Sequence, residues 1–165
     1  MKMERIDRVR AALCAQGLTQ MIVCDPKSVW YLTGVAVEPY ERLLALYLPT
    51  NGEPVLFLNK LFNVPNPPCK TVWHTDTDAP VAQIAAVVDA AKPLGIDKEW
   101  PAKFLIPLME AHPGMQVVLS SDCVDDCRAC KDAEEQRLMR EASCVRPPAS
   151  TMKSTRLRST TSRSA

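Results

Sequence analysis

The sequence predicts an α/β domain built on a mixed sheet of five or six strands with helices on both faces. Three observations carry this. Stretches with a helical apolar period alternate with short, continuous apolar runs, the pattern of helices packed on buried strands. Residues 42–48, Arg-Leu-Leu-Ala-Leu-Tyr-Leu, are apolar on both faces, as a covered central strand requires. Pro49-Thr50-Asn51-Gly52 then marks a tight turn before a second apolar run, so these two strands form an antiparallel hairpin.

The first helix spans residues 3–16, with Ile6, Val9 and Leu13 on one stripe and Gly17 as its stop. Residues 20–24 read as a buried strand. Asp25 caps a short helix, Pro26 occupies its first position and Gly34 ends it, with Val29, Trp30 and Leu32 facing the sheet. Residues 54–58 form the return strand of the hairpin, 61–69 a proline-rich loop, and 70–75 a third strand after it. A helix over Pro80–Ala91 takes Asp78 or Thr77 as its cap and buries Val81, Ile84, Ala85 and Val88. Residues 94–97 form a strand, Trp100-Pro101 opens a helix running to about His112, and 115–119 form the last strand. Asp132 to Glu135 start a final helix through Ser143, with acids against the positive end of its dipole.

One domain of residues 1–144 is expected, followed by a Ser/Thr/Arg-rich tail over 145–165. The tail has no apolar period and reads as disordered. A second expectation is that it is frame-shifted. Codons permitted for Thr151–Ser154 spell Asp-Glu-Val in another register, an ordinary acidic helix continuation. The chain's net charge of +1 includes +5 from residues 146–165, which leaves residues 1–145 at −4. A mildly acidic body excludes a nucleic-acid platform. No apolar run is long enough to span a membrane, and the first residues lack the apolar core of a signal peptide, so a cytoplasmic location is expected. Seven cysteines cannot all pair, and they read as mostly reduced thiols.

Candidate chemistry is sparse. Cys123, Cys127 and Cys130 form the densest thiol cluster. Only Cys127 and Cys130 have a metal-like spacing, and no second pair follows, so incidental thiols in a loop are the expectation over a zinc site with His112 or Cys144. His74 and His112 end a strand and a helix and read as structural. Asp76 and Asp78 suggest a metal loop less well than a helix cap, and Asp125 and Asp126 read as a solvated turn. No glycine-rich phosphate loop is present. Tyr40 and Arg42 are the leading site candidates. Arg42 opens a buried strand after the loop carrying Glu38, Pro39 and Tyr40, and a guanidinium held there suits bidentate recognition of a carboxylate. Surface pairing of Arg42 with Glu38 or Glu41 is the plainer alternative.

Several of these pieces, in this order and spacing, resemble the N-terminal domain of the creatinase, prolidase and aminopeptidase P family. They are ERIDRVRAAL, VCDPKSVWYLTGV, ERLLALYLPTNGEPVLFLNK, LGIDKEWPAKFLIPLMEA, and the run from Arg128 through Lys131, Asp132, Glu134 and Glu135 to Ser143. The resemblance implies a mixed α/β domain preceding a metallopeptidase domain that holds two divalent metals (Mn, Co or Zn). The family's metal ligands, two aspartates, a histidine and two glutamates, lie in that second domain and match no position here, because the pattern departs after Ser143. The resemblance therefore implies a non-catalytic domain of an Xaa-Pro dipeptidase-like enzyme, inactive alone, without the catalytic domain. It implies a homodimer, and a proline-containing peptide as substrate only in the full-length context. Tyr40 and Arg42 would reach the substrate's carboxylate end in the partner subunit. The alternative is a stand-alone interaction or small-molecule-binding module that reuses the fold.

Overall fold

The computed structural model describes residues 1–144. The expectations of disorder and of a frame shift over 145–165 lie outside the described residues. The chain forms two compact units, Met1–Cys130 and one that begins at Lys131.

In the first unit the order is α1 (Met3–Ala15), β1 (Gln20–Val23), α2 (Pro26–Thr33), β2 (Ala45–Pro49), β3 (Val55–Asn59), β4 (Lys70–His74), α3 (Pro80–Ala85), β5 (Leu94–Ile96), α4 (Ala102–Ala111), β6 (Val117–Leu119) and α5 (Asp122–Ala129). The second unit holds α6 (Ala133–Cys144). The six strands make one mixed sheet in the order β4-β3-β2-β1-β5-β6. β2 is antiparallel to β1 and to β3, so the hairpin forms as expected, with Tyr47 opposite Val55. β4, β5 and β6 join their neighbours in parallel.

Strand alternation sorts the apolar residues into two cores. Met21, Val23, Leu44, Leu46, Leu48, Leu56 and Leu58 meet α1, α2 and α5 on one face. Ile22, Leu43, Ala45, Tyr47, Val55 and Phe57 meet α3 and α4 on the other. Each fully buried Leu or Phe contributes about 1.5–3 kcal/mol, so both faces are held strongly.

Local chemistry sets the helix ends. Asp25 accepts hydrogen bonds from the N–H groups of Lys27 (3.3 Å) and Ser28 (3.0 Å), and Gly34 closes α2 with φ +82°. α6 opens on a reciprocal box. Glu135 N–H donates to Asp132 (2.8 Å), and Asp132 N–H donates to Glu135 (3.0 Å).

Four expectations are corrected. Trp30 does not face the sheet but is exposed, and Tyr31 is buried in its place beside Val29 and Leu32. The strand expected from Arg42 begins at Ala45, so Arg42 lies in the preceding turn. α3 stops at Ala85 and has no side-chain cap, because Asp78 turns back to Thr75 instead. Residues 122–129 are a helix rather than a loop, with Asp125 and Asp126 inside it. Arg128 at its end ties it to Asp25 (3.1 Å) and Ser28 (3.0 Å).

Candidate functional site at the ends of β3 and β4

β3 and β4 run parallel and finish together, with Asn59 beside His74. Both are polar, and they are 1% and 2% exposed, so each must be hydrogen-bonded where it stands. Asn59 accepts from Leu61 N–H (2.9 Å) and donates to Asp76 Oδ1 (2.7 Å). His74 Nε2 lies 3.1 Å from the Leu43 carbonyl. A carbonyl only accepts, so Nε2 carries the donated proton. The other ring nitrogen is buried and has no hydrogen-bond partner among the described residues.

Arg42 closes this cluster. Its Nε donates to both Asp76 oxygens (3.0 and 3.2 Å), and its NH2 donates to Oδ2 (3.0 Å). The alternative pairing with Glu38 or Glu41 is therefore replaced by a bidentate pair with a residue 34 positions away. The Arg42 bonds hold the Asp76 carboxyl below its ordinary range, and the same contact raises the guanidinium. Asp78, two residues on, is lowered by Thr75, whose N–H (2.6 Å) and hydroxyl (2.9 Å) donate to it. Arg42, Asn59, His74, Asp76, Asp78 and Lys103 are among the residues lining a cleft of about 330 Å³. The Lys103 ammonium donates to the Glu41 carbonyl and sits 4.9 Å from the Phe104 ring centre.

Tyr40 stands apart in character. It occupies the second position of a turn closed by Arg42 N–H on the Pro39 carbonyl (2.9 Å), with φ +51°. That is a left-handed conformation few side chains adopt. The residue is 86% exposed. Tyr40 and Arg42 also line a second groove of about 200 Å³ with Pro39, Trp100, Pro101 and Phe104. A third, more apolar groove of about 280 Å³ lies against the exposed Trp30 with Pro26, Ala36 and Val37.

Cys123 and Cys127 sit one turn apart on α5. Burial pushes the Cys123 thiol up to about 11 and also raises Cys127. His112 Nε2 lies 3.0 Å from the Ala85 carbonyl. Asp125 pairs with Lys98 (2.5 Å) and Arg128 (3.7 Å). Sequence reasoning did not single out Asp97. It is 5% exposed and accepts from the N–H groups of Cys24 (2.5 Å), Asp25 (2.8 Å) and Glu99 (3.1 Å). Burial nevertheless leaves its carboxyl raised. Its only outward signal is an aspartate directly after an apolar strand. Among the described residues no three His, Cys, Asp or Glu side chains converge as metal ligands.

Comparison with known proteins gives a consistent picture. A family model described as the Creatinase/Prolidase N-terminal domain matches residues 5–130. The Probable dipeptidase PepE of Mycobacterium tuberculosis is 28% identical over 149 residues, which cover 86% of this chain and 40% of that protein. An uncharacterized peptidase of Staphylococcus epidermidis is 37% identical over 59 residues, covering 36% of this chain and 17% of the relative. The crystal structure of dipeptidase PepE from Mycobacterium ulcerans superposes with a TM-score of 0.72 at 26% identity, over 86% of this chain and 40% of that one. The creatinase/prolidase N-terminal domain of an X-Pro dipeptidase from Streptococcus pyogenes gives a TM-score of 0.64 at 24% identity, over 74% of this chain and 98% of that one. The chain thus spans about 40% of the length of the PepE relatives it matches. Among the described residues no helix is long and apolar enough to cross a membrane.

Proposed function

Because this chain belongs to the Creatinase/Prolidase N-terminal domain family, we propose that it serves an Xaa-Pro dipeptidase-like metallopeptidase as its non-catalytic N-terminal domain. The observation that carries this is the family match over residues 5–130, which takes in every strand of the sheet. In this reading the domain builds a homodimer and closes the partner subunit's active site with the loop from Val35 to Arg42. Tyr40 supplies an exposed aromatic wall, and Arg42 supplies a cation for the carboxylate end of a proline-containing peptide. The two divalent metals, Mn, Co or Zn, would be held in the family's catalytic domain and would activate the hydrolytic water there. The work is cytoplasmic, without membrane or nucleic acid as partner.

Light scattering on the 165-residue chain, together with an assay on an Xaa-Pro dipeptide in the presence of Mn²⁺, Co²⁺ or Zn²⁺, tests this. The expected result is the mass of two chains and no hydrolysis. Hydrolysis that a chelator abolishes overturns the non-catalytic assignment, and a monomer at all concentrations overturns the dimer. The alternative, a stand-alone interaction module, draws support from the apolar groove at the exposed Trp30. It gains if a partner is retained while the chain stays monomeric.

A further inference from the structure

A guanidinium has two edges on which a carboxylate can be gripped by parallel hydrogen bonds. In Arg42 the edge made by Nε and NH2 is fully used by Asp76, at 3.0–3.2 Å. NH1 makes no hydrogen bond among the described residues, so the edge it shares with the second N–H of NH2 is open. Arg42 is therefore held by one edge and available at the other.

What holds it is built into the sheet. Asp76 is exposed, and alone it would give only a mobile surface pair. It is steadied by Asn59, which is buried at the end of β3 and is itself fixed by Leu61 N–H. The neighbouring strand supplies the second support. His74, buried at the end of β4, holds the carbonyl of Leu43, the residue directly after Arg42. The parallel pairing of β3 and β4 sets Asn59 beside His74. One pair of strand ends thus fixes both the head group of Arg42 and the backbone from which it grows.

We infer that Asp76, Asn59 and His74 are positioning residues that aim Arg42 and present its open edge to the carboxylate end of a peptide-like ligand. This inference rests on the proposed role of Arg42 as a carboxylate contact. It adds that the contact is pre-oriented by an internal carboxylate, which lowers the conformational freedom lost on binding. Asp76 thus acts as a brace for Arg42 and does not compete for the ligand.

The test follows the Arg42 Nε–H signal by NMR in the full ¹⁵N-labelled chain. The probes are N-acetylglycine, acetate and N-acetylglycinamide. In the native chain the signal is expected to be slow to exchange, and to shift with both carboxylates and not with the amide. Arg42→Lys, which keeps the charge and removes the fork, should lose the response read on neighbouring amides. Asp76→Ala should make the signal exchange fast and weaken the carboxylate response about tenfold. Asp76→Asn, which keeps one acceptor, should fall between. Asn59→Ala should resemble Asp76→Ala, and thermal melts check that each variant is folded. A shift with the amide, or no shift of the native chain with either carboxylate, overturns the inference. Tighter carboxylate binding in Asp76→Ala also overturns it, because Asp76 would then be a competitor. A response lost in Arg42→Lys and unchanged in Asp76→Ala overturns the brace while leaving the reading of Arg42 intact. A response retained in Arg42→Lys removes that reading, and the inference with it.

Discussion

Asp25 shows how much one side chain settles in this molecule. It accepts from two backbone N–H groups at the start of α2, from the Ser28 hydroxyl (2.7 Å) and from Arg128 of α5 (3.1 Å). Burial pushes its carboxyl up, but the Ser28 and Lys27 bonds and the Arg128 charge outweigh this, and the net direction is down. Replacing it, as in Asp25→Ala, is expected to cost about 1–2 kcal/mol near neutral pH, the scale of a lost helix cap. A carboxyl lowered on folding stabilises above its unfolded value, about 3.9, and that stability is lost as pH falls through the folded value. The difference between Asp25→Ala and the native chain in urea melts should therefore shrink below about pH 4. Gly95 makes a second residue-scale case. A Cβ there would stand 2.5 Å from Ser120 Oγ and 3.2 Å from the Gln20 carbonyl. Gly95→Ala should destabilise by about 1–3 kcal/mol, and adding Ser120→Ala should recover part of that in a double-mutant cycle.

At the scale of elements, Gln20 governs where α3 gives way to β5. It is 1% exposed in β1, and its amide is fully used. Nε2 donates to the carbonyls of Asp89 (2.7 Å) and Lys92 (3.2 Å), and Oε1 accepts from Asp89 N–H (3.0 Å) and the Tyr47 hydroxyl (3.1 Å). These bonds hold the backbone of residues 89–92 in a turn, where continuous helix was expected. Gln20→Leu fills the space but strands these groups, at an expected cost of about 3 kcal/mol. Hydrogen exchange should show Asp89 N–H losing its protection first. The same comparison shows what a linear reading can reach. The continuous apolar runs of 43–48 and 55–58, and the turn between them, are local, so the hairpin was legible. The cap at Asp25 and the stop at Gly34 were legible for the same reason. α5 was not, because Asp-Cys-Val-Asp-Asp-Cys-Arg-Ala buries only Cys123 and Val124 and shows no apolar stripe that would mark a helix, so a loop with incidental thiols is what it suggests. Arg42 could be singled out by its place before an apolar run. Its partner Asp76 could not, because the parallel pairing of β3 with β4 is what carries it there.

For the molecule as a whole, the two units differ in what stabilises them. Residues 1–130 enclose two cores, one on each face of the sheet, with Phe57, Leu46 and Leu56 fully shielded from water. α6 has no buried residue. The Asp132–Glu135 box and Arg137, which pairs with Glu134 (2.8 Å) and Glu141 (2.6 Å), contribute to its order. Exposed pairs of that kind add little, and an isolated helix of 12 residues is marginal in water. A chain ending at Cys130 should therefore fold like the full chain. Its Tm should agree within a few degrees, and the amide signals of residues 1–125 should superimpose. A peptide of residues 131–144 should be only partly helical by circular dichroism and should lose helix as salt screens the Arg137 pairs. If the shortened chain instead melts well below the full chain, the sheet and its two cores do not account for the stability of the domain, and residues beyond Cys130 contribute directly to it.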